Sequence, residues 1–182
     1  MKSLEARLAA IRAEQDPNRK NLRVAEIVSE LFREAGADPV IVGGSAVEFY
    51  TDGTYVSGDV DVCFYGPHLP TPRQRESVLA KVGTSLGTRT WRVARTPFQE
   101  VGELKLIQIE DLIAERILIA TVPEFDEERW RVAKLLVALV LQNAVAWDRT
   151  ELERVANSPS YRVGAELRRL IDEIEGERRN SG

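Results

Sequence analysis

Apolar residues recur along this chain with two different periods, and the period changes at identifiable positions. Spacings of three and four residues predict helices, whereas short apolar or alternating runs bounded by Gly, Pro or Asp predict strands. All predicted strands fall in the first three fifths of the chain, at residues 39–42, 59–65, 88–95 and 104–109. Helices are predicted at residues 3–14, 21–35, 45–52, 72–82, 110–121, 127–146, 150–157 and 160–175.

This distribution divides the chain into an α/β half, about 1–109, and an all-helical half, about 110–182. The predicted fold class is therefore α/β of the α+β kind. Gly102 is predicted to join the last two strands as a hairpin. No linker rich in Gly, Ser or Pro separates the halves, so we expect them to share an interface with a cleft between them.

Composition narrows the class of protein. The 182 residues carry a net charge of −4, which argues against a protein that acts mainly on the nucleic-acid backbone. Cys63 is the single cysteine, so no internal disulfide is possible and a reducing cytoplasm is expected. The N-terminal residues lack the continuous apolar core of a signal peptide, and the longest apolar run, 135–141, is too short to cross a bilayer. We expect a soluble, cytoplasmic protein with no membrane partner.

The segment 40–64 carries the candidate chemistry. An apolar run, Val-Ile-Val, ends in Gly-Gly-Ser at 43–45, and a second apolar run carries Asp59 and Asp61. Because side chains alternate along a strand, the two carboxylates are predicted to share a face, roughly 7 Å apart. Two carboxylates could hold Mg²⁺, and a glycine turn that starts a helix offers backbone N–H groups to phosphate.

In this order the two motifs, Val42-Gly43-Gly44-Ser45 and Asp59-Val60-Asp61-Val62, resemble the signature of the nucleotidyltransferase superfamily. More loosely, Ile109–Ile119 resembles the segment after the catalytic core in small bacterial members, some related to nucleotidyltransferases of toxin–antitoxin and abortive-infection systems. Either motif alone is weak, since glycine pairs end strands in many folds. The resemblance implies a mixed sheet flanked by helices, with a helical C-terminal part closing over a nucleotide.

The resemblance also implies a reaction. A nucleoside triphosphate would be the donor, Mg²⁺ the cofactor, and a hydroxyl on a protein, an RNA or a small molecule the acceptor. Asp59 and Asp61 would be the catalytic, metal-binding residues. Gly43, Gly44 and Ser45 would bind the nucleotide phosphates, with Ser45 offering both its hydroxyl and its amide.

Basic groups should contact the β- and γ-phosphates. The order of elements in the superfamily makes Arg116 the first candidate, followed by Lys105 and Lys134. Each has a structural alternative: Arg116 as a salt-bridged helix residue, Lys105 on a solvated strand face, and Lys134 with its stem along an apolar helix.

One departure from the superfamily pattern concerns the third acid that many members supply from a later strand. The predicted strand 88–95 contains no Asp or Glu, and only Glu100 or Glu103 could substitute.

Three hypotheses therefore stay open. The chain is an active Mg²⁺-dependent nucleotidyltransferase. It is a catalytically weak or inactive relative that binds a nucleotide or a partner, such as one member of a toxin–antitoxin pair. Or it is an unrelated interaction module whose Asp-x-Asp strand is incidental.

Overall fold

The computed structural model describes residues 3–65, 68–82, 90–92, 98–101 and 104–181. The chain forms two compact units, Met1–Ile107 and Gln108–Gly182. The first unit combines helices with a mixed sheet and the second is helical in its described residues. The α+β fold class expected from the sequence is confirmed.

The first unit contains all the described strands. Its elements in chain order are α1 (Leu4–Ala13), α2 (Pro17–Glu34), β1 (Asp38–Ile41), α3 (Gly43–Tyr50), β2 (Val62–Tyr65), α4 (Pro72–Val82), β3 (Thr90–Arg92), β4 (Phe98–Val101) and β5 (Leu104–Ile107). The second unit contains α5 (Ile109–Thr121), α6 (Glu127–Leu141), α7 (Arg149–Ala156) and α8 (Gly164–Ser181).

The five strands form one sheet in the order β3-β2-β1-β5-β4. The central strand β1 pairs antiparallel with β2 and parallel with β5, and Ile41 faces Val62 on one side and Leu106 on the other. Strand β2 begins at Val62, so the predicted start at residue 59 was wrong. The pairing nevertheless extends one residue before the strand, because the Val42 N–H donates to the Asp61 carbonyl at 3.1 Å.

The predicted hairpin through Gly102 has a different first strand. It is β4, not the segment around residue 91, that runs antiparallel to β5, with Phe98 opposite Ile107. Strand β3 lies at the other edge, parallel to β2. Four residues, Phe-Gln-Glu-Val, show too little alternation to be recognised as a strand beside the longer apolar pattern that precedes them.

Helix α2 packs against the sheet and holds it from one side. The rings of Phe32 on α2 and Phe64 on β2 meet edge-to-face, with centroids 4.8 Å apart. The helix begins at Pro17, four residues earlier than predicted, because Asp16 caps it and proline suits its first position. The Asp-Pro pair between the first two predicted helices therefore starts the second of them.

The second unit is organised around α5 and α6. The α6 residues Leu136, Val137 and Val140 are fully buried, as the apolar pattern predicts for a central helix. Helix α6 ends at Leu141, so the predicted end at residue 146 was five residues too late. Among the described residues, no helix is long and apolar enough to cross a membrane.

Candidate active site

The hydroxyl of Ser45 joins the glycine turn to both aspartates. It donates to the carbonyl of Asp59 at 2.8 Å and accepts from the backbone N–H of Asp61 at 3.0 Å. Ser45 lies in the first turn of α3 and is completely buried. The two sequence motifs, separated by thirteen residues, therefore meet at one place.

This bridge changes the task expected of the Ser45 side chain. Its single hydroxyl hydrogen is directed to the Asp59 carbonyl, so it is not offered to a phosphate in this arrangement. Ser45 instead fixes the backbone on both sides of Val60, whose side chain is buried together with that of Val62. The aspartates are half-buried, as the predicted alternation of the two side-chain types requires.

The two glycines of the turn are explained by protein contacts. Gly43 has φ +64°, and a Cβ there would overlap the carboxylate of Asp61. A Cβ on Gly44 would lie 2.8 Å from the Ser57 hydroxyl and 3.4 Å from that of Tyr55. Both glycines are buried. Their missing side chains let the segment before β2 pack on the turn, where the sequence suggested close approach of a phosphate.

The carboxylate of Asp61 thus lies against the first residue of α3. No side chain caps this helix through Val42, the N-cap residue. The first turn of a helix carries backbone N–H groups without helical acceptors and a partial positive charge, so it favours a nearby carboxylate or phosphate. The site therefore brings anion-attracting amides next to two acidic side chains, although α3 itself is only eight residues long.

A second set of contacts holds the segment that leads to the aspartates. The buried carboxylate of Glu48, on α3, accepts from the side-chain amide of Asn21 at 2.9 and 3.2 Å and from the Ser57 N–H at 2.9 Å. The same Asn21 amide donates to the Ser57 carbonyl at 3.0 Å, and the Ser57 hydroxyl donates to Asp59 Oδ1 at 3.3 Å. Sequence reasoning missed all three of these residues. The available signal was Glu48, a charged residue within the otherwise apolar or small first turns of α3.

The carboxylates of Asp59 and Asp61 suit Mg²⁺, but they are only two ligands. Two aspartates supply oxygen ligands, and Mg²⁺ commonly completes its shell with waters and substrate phosphates. Within the described residues, no group of three or more His, Cys, Asp or Glu side chains is placed to hold a metal ion. A metal at Asp59 and Asp61 would therefore depend on its substrate for the remaining ligands.

Glu100 is badly placed to be the missing third acid. It lies on β4, separated from β2 by β1 and β5, and three interstrand spacings amount to about 14 Å. Its cross-strand neighbour is Lys105. Glu103 lies outside the described residues. Strand β3, which does neighbour β2, places Trp91 opposite Cys63 and Arg92 opposite Phe64, and no acid occurs in the sequence between Glu76 and Glu100.

The two lysine candidates have other partners. Lys105 Nζ contacts both carboxylate oxygens of Asp38 at 2.7 and 2.8 Å, at the end of β1 remote from the glycine turn. Lys134 on α6 contacts Glu173 and Glu177 on α8 at 2.7 and 2.6 Å. The hydrogen bonds that the Lys134 ammonium donates to Glu173 and Glu177 raise its pKa. Both lysines tie elements of their own unit together.

Arg116, the first basic candidate, lies on α5 in the second unit. Its Nη2 contacts Glu115 at 3.1 Å, and its side chain is only 13% exposed. Its Nε is buried and has no hydrogen-bond partner among the described residues. The pairing with Glu115 fits the structural alternative, and the proposed contact of Arg116 with phosphates stays a prediction.

A buried acid on the same helix was not singled out from the sequence. Asp111 Oδ1 accepts from the Tyr161 hydroxyl at 3.1 Å, while its Oδ2 is buried without a partner in the described part of the chain. Burial raises the pKa of the Asp111 carboxyl, against the opposing effect of the Tyr161 hydrogen bond. Asp111 therefore destabilises the second unit when it is ionised.

Comparison of the chain with protein-family profiles, with curated proteins and with solved structures gave no significant match.

Proposed function

We propose that this chain is a Mg²⁺-dependent nucleotidyltransferase that moves a nucleoside monophosphate from a nucleoside triphosphate to an acceptor hydroxyl. The Ser45 bridge carries the proposal, because one buried hydroxyl holds two aspartates beside a helix N-terminus. Carboxylates for a hard cation and backbone N–H groups for phosphate are the two requirements for binding a magnesium–triphosphate complex.

Asp59 and Asp61 would hold the metal, and the N–H groups at the start of α3 would face the phosphates. Bound Mg²⁺ would neutralise charge on the triphosphate and on the leaving pyrophosphate. The acceptor oxygen forms a bond to the α-phosphorus while the bond from the α-phosphorus to the bridging oxygen breaks. Pyrophosphate leaves, and the acceptor proton passes to a base or to water. The chain contributes mainly positioning and electrostatic stabilisation.

A second candidate is a nucleotide-binding relative without transfer, and the position of Glu100 favours it. Strand β3, at the edge beside β2, carries no acid, and Glu100 on β4 lies about 14 Å from β2 across the sheet. Without a third carboxylate the site would lack a general base, which contributes about 10²–10⁴-fold to a rate. Such a protein would serve as a binding partner, for example within a toxin–antitoxin pair. For either candidate we infer a cytoplasmic setting, where nucleoside triphosphates and Mg²⁺ are abundant.

Binding and transfer are tested separately with the full chain. Equilibrium binding of an α-³²P-labelled nucleoside triphosphate is measured with Mg²⁺ and with EDTA, and label transfer is followed to the protein itself and to added RNA. We expect Mg²⁺-dependent binding that D59N and D61N each abolish. The matched control is D52N, since Asp52 is exposed and its left-handed φ of 46° suits asparagine.

The outcomes separate the candidates. Transfer that depends on Asp59 and Asp61 supports the enzyme. Metal-dependent binding without label transfer supports the second candidate. Triphosphate binding that is the same in D59N, D61N and D52N, or absent from the wild type, would refute both and leave an interaction module.

A further inference from the structure

We propose that Glu48 is a positioning residue for the metal site, acting through Ser57 on the carboxylate of Asp59. This inference rests on the proposed function for its metal-binding consequence, while its structural part is tested without any metal. The side chain of Glu48 is completely buried and is among the largest fully buried side chains of the described residues.

A buried carboxylate requires strong compensation. Transferring an ionised carboxylate from water to a protein interior is expensive unless hydrogen bonds or an opposite charge replace its hydration. Among the described residues, no lysine, arginine or histidine forms an ion pair with Glu48; its recorded partners are the Asn21 amide and the Ser57 N–H. The hydrogen bonds from Asn21 and Ser57 therefore supply the compensation that the buried Glu48 carboxylate needs.

What Glu48 and Asn21 hold is the backbone of Ser57. Glu48 accepts from the Ser57 N–H at 2.9 Å, while Asn21 donates to the Ser57 carbonyl at 3.0 Å. Because both polar groups of one peptide residue are bound, the position and rotation of that residue are set. This fixes its Cα–Cβ bond, and the hydrogen bond of its hydroxyl then sets the direction of the side chain.

That direction is towards the metal ligands. The Ser57 hydroxyl donates to Asp59 Oδ1 at 3.3 Å and would lie only 2.8 Å from a Cβ on Gly44. Partners of this kind fix the orientation of a ligating carboxylate, and their loss typically costs about 10- to 100-fold in metal affinity. Ser45 fixes the backbone of Asp59 through its carbonyl, so Ser57 is the residue that orients its side chain.

The chain offers a clean pair of variants. S57A removes the hydroxyl but keeps the backbone groups that Glu48 and Asn21 bind, so the fold should be retained. E48Q keeps the shape of the side chain, but its new NH₂ group faces a donor at either position: the Asn21 amide in place of Oε1, or both the Asn21 amide and the Ser57 N–H in place of Oε2. The control is Ser29, which is also buried, on α2, and whose hydroxyl has no partner among the described residues.

The first readout needs no metal. Three-bond scalar couplings to the Asp59 carboxyl carbon report whether its χ1 rotamer is fixed or averaged in the metal-free protein. We expect a single rotamer in the wild type and in S29A, and rotamer averaging in S57A and E48Q, with Asp61 unchanged in S57A as an internal reference. A fixed Asp59 rotamer in both S57A and E48Q would overturn the inference, whatever the protein binds.

The second readout is binding of Mn²⁺ alone, followed by the loss of its free electron paramagnetic resonance signal. We expect affinity to fall about tenfold or more in S57A and E48Q, and the double variant to be no weaker than the worse single variant, because both act through Asp59. Equal Mn²⁺ affinity in wild type, S57A and E48Q would count against Glu48 as a positioning residue. Binding that D59N leaves intact would instead refute the proposed metal site, and the rotamer result would still decide the inference about Glu48.

Discussion

Replacing Ser45 by alanine is the most direct test of the Ser45 bridge. The variant S45A leaves the Asp59 carbonyl and the Asp61 N–H without their partner. A buried polar group left unpaired costs about 1–3 kcal/mol, and since these two groups are only partly buried we take the lower part of that range for each. The expected loss of stability is about 2–3 kcal/mol.

Ser29 provides the comparison, because it is also a buried serine in a helix of the same unit. Its hydroxyl has no hydrogen-bond partner among the described residues, so S29A should be neutral or slightly stabilising. Both substitutions remove the same atom from a buried serine within a helix. The difference in free energy of unfolding between S45A and S29A therefore measures the bridge.

The assay is urea unfolding of wild type, S45A and S29A, followed by circular dichroism. A lower midpoint with an unchanged slope would report a loss of stability rather than a change in the unfolded state. For a chain of this length, about 2–3 kcal/mol corresponds to a melting temperature lower by about 6–9 °C. Equal midpoints for S45A and S29A would show that the bridge does not hold the two motifs together.

The other predictions concern the glycine turn and the buried acid of α5. G43A should unfold at lower denaturant than wild type by more than about 2 kcal/mol, since alanine is strained at φ +64° and would overlap the Asp61 carboxylate; G58A, with open space at its Cβ, should change stability little, and equal losses would refute the explanation. D111N should raise the melting temperature at pH 7. Burial raises the Asp111 pKa, so the folded state binds this proton more tightly than the unfolded state. Ionised Asp111 therefore destabilises the folded state at pH values above its folded pKa, and this loss of stability disappears as the pH falls through that pKa. The increase in melting temperature caused by D111N should therefore vanish in acid. An equal increase at pH 4 and at pH 7 would contradict this explanation.

Much of the fold followed from periodicity. Helices α1 to α8 were each predicted, and Val60 and Val62 are buried while Asp59 and Asp61 are half-buried, as alternation of side chains predicts. The predictions that failed concerned a short strand and the start of a helix. Strand β4 has four residues and weak alternation, and the start of α2 was predicted four residues too late because the cap Asp16 and the following Pro17 were not recognised as a helix start.

The sequence singled out the residues of the candidate site but not the contacts that connect them. Gly-Gly-Ser and Asp-x-Asp could be recognised because each stands inside an apolar run. The connections of Ser45 to backbone atoms of residues 59 and 61 could not, since a serine hydroxyl bonds to backbone groups that every residue carries. Glu48 was overlooked for a related reason: a helical acid is normally solvated, and only tertiary contacts show that this one is buried.

The segment between the two motifs is bound to the protein at its end but exposed in its middle. This attachment affects which sequence pattern would find relatives of the chain. The end of the segment is bound at Ser57, Asp59 and Asp61, while Asp52, Thr54 and Val56 are exposed. Chain length in such a loop changes stability only slowly, so insertions or deletions there would leave the bound end in place. A search pattern with a fixed gap between Gly-Gly-Ser and Asp-x-Asp would then pass over true relatives. A pattern that requires an acid three residues after the serine, and a serine two residues before the first aspartate, with a variable gap between them, would be the more selective probe.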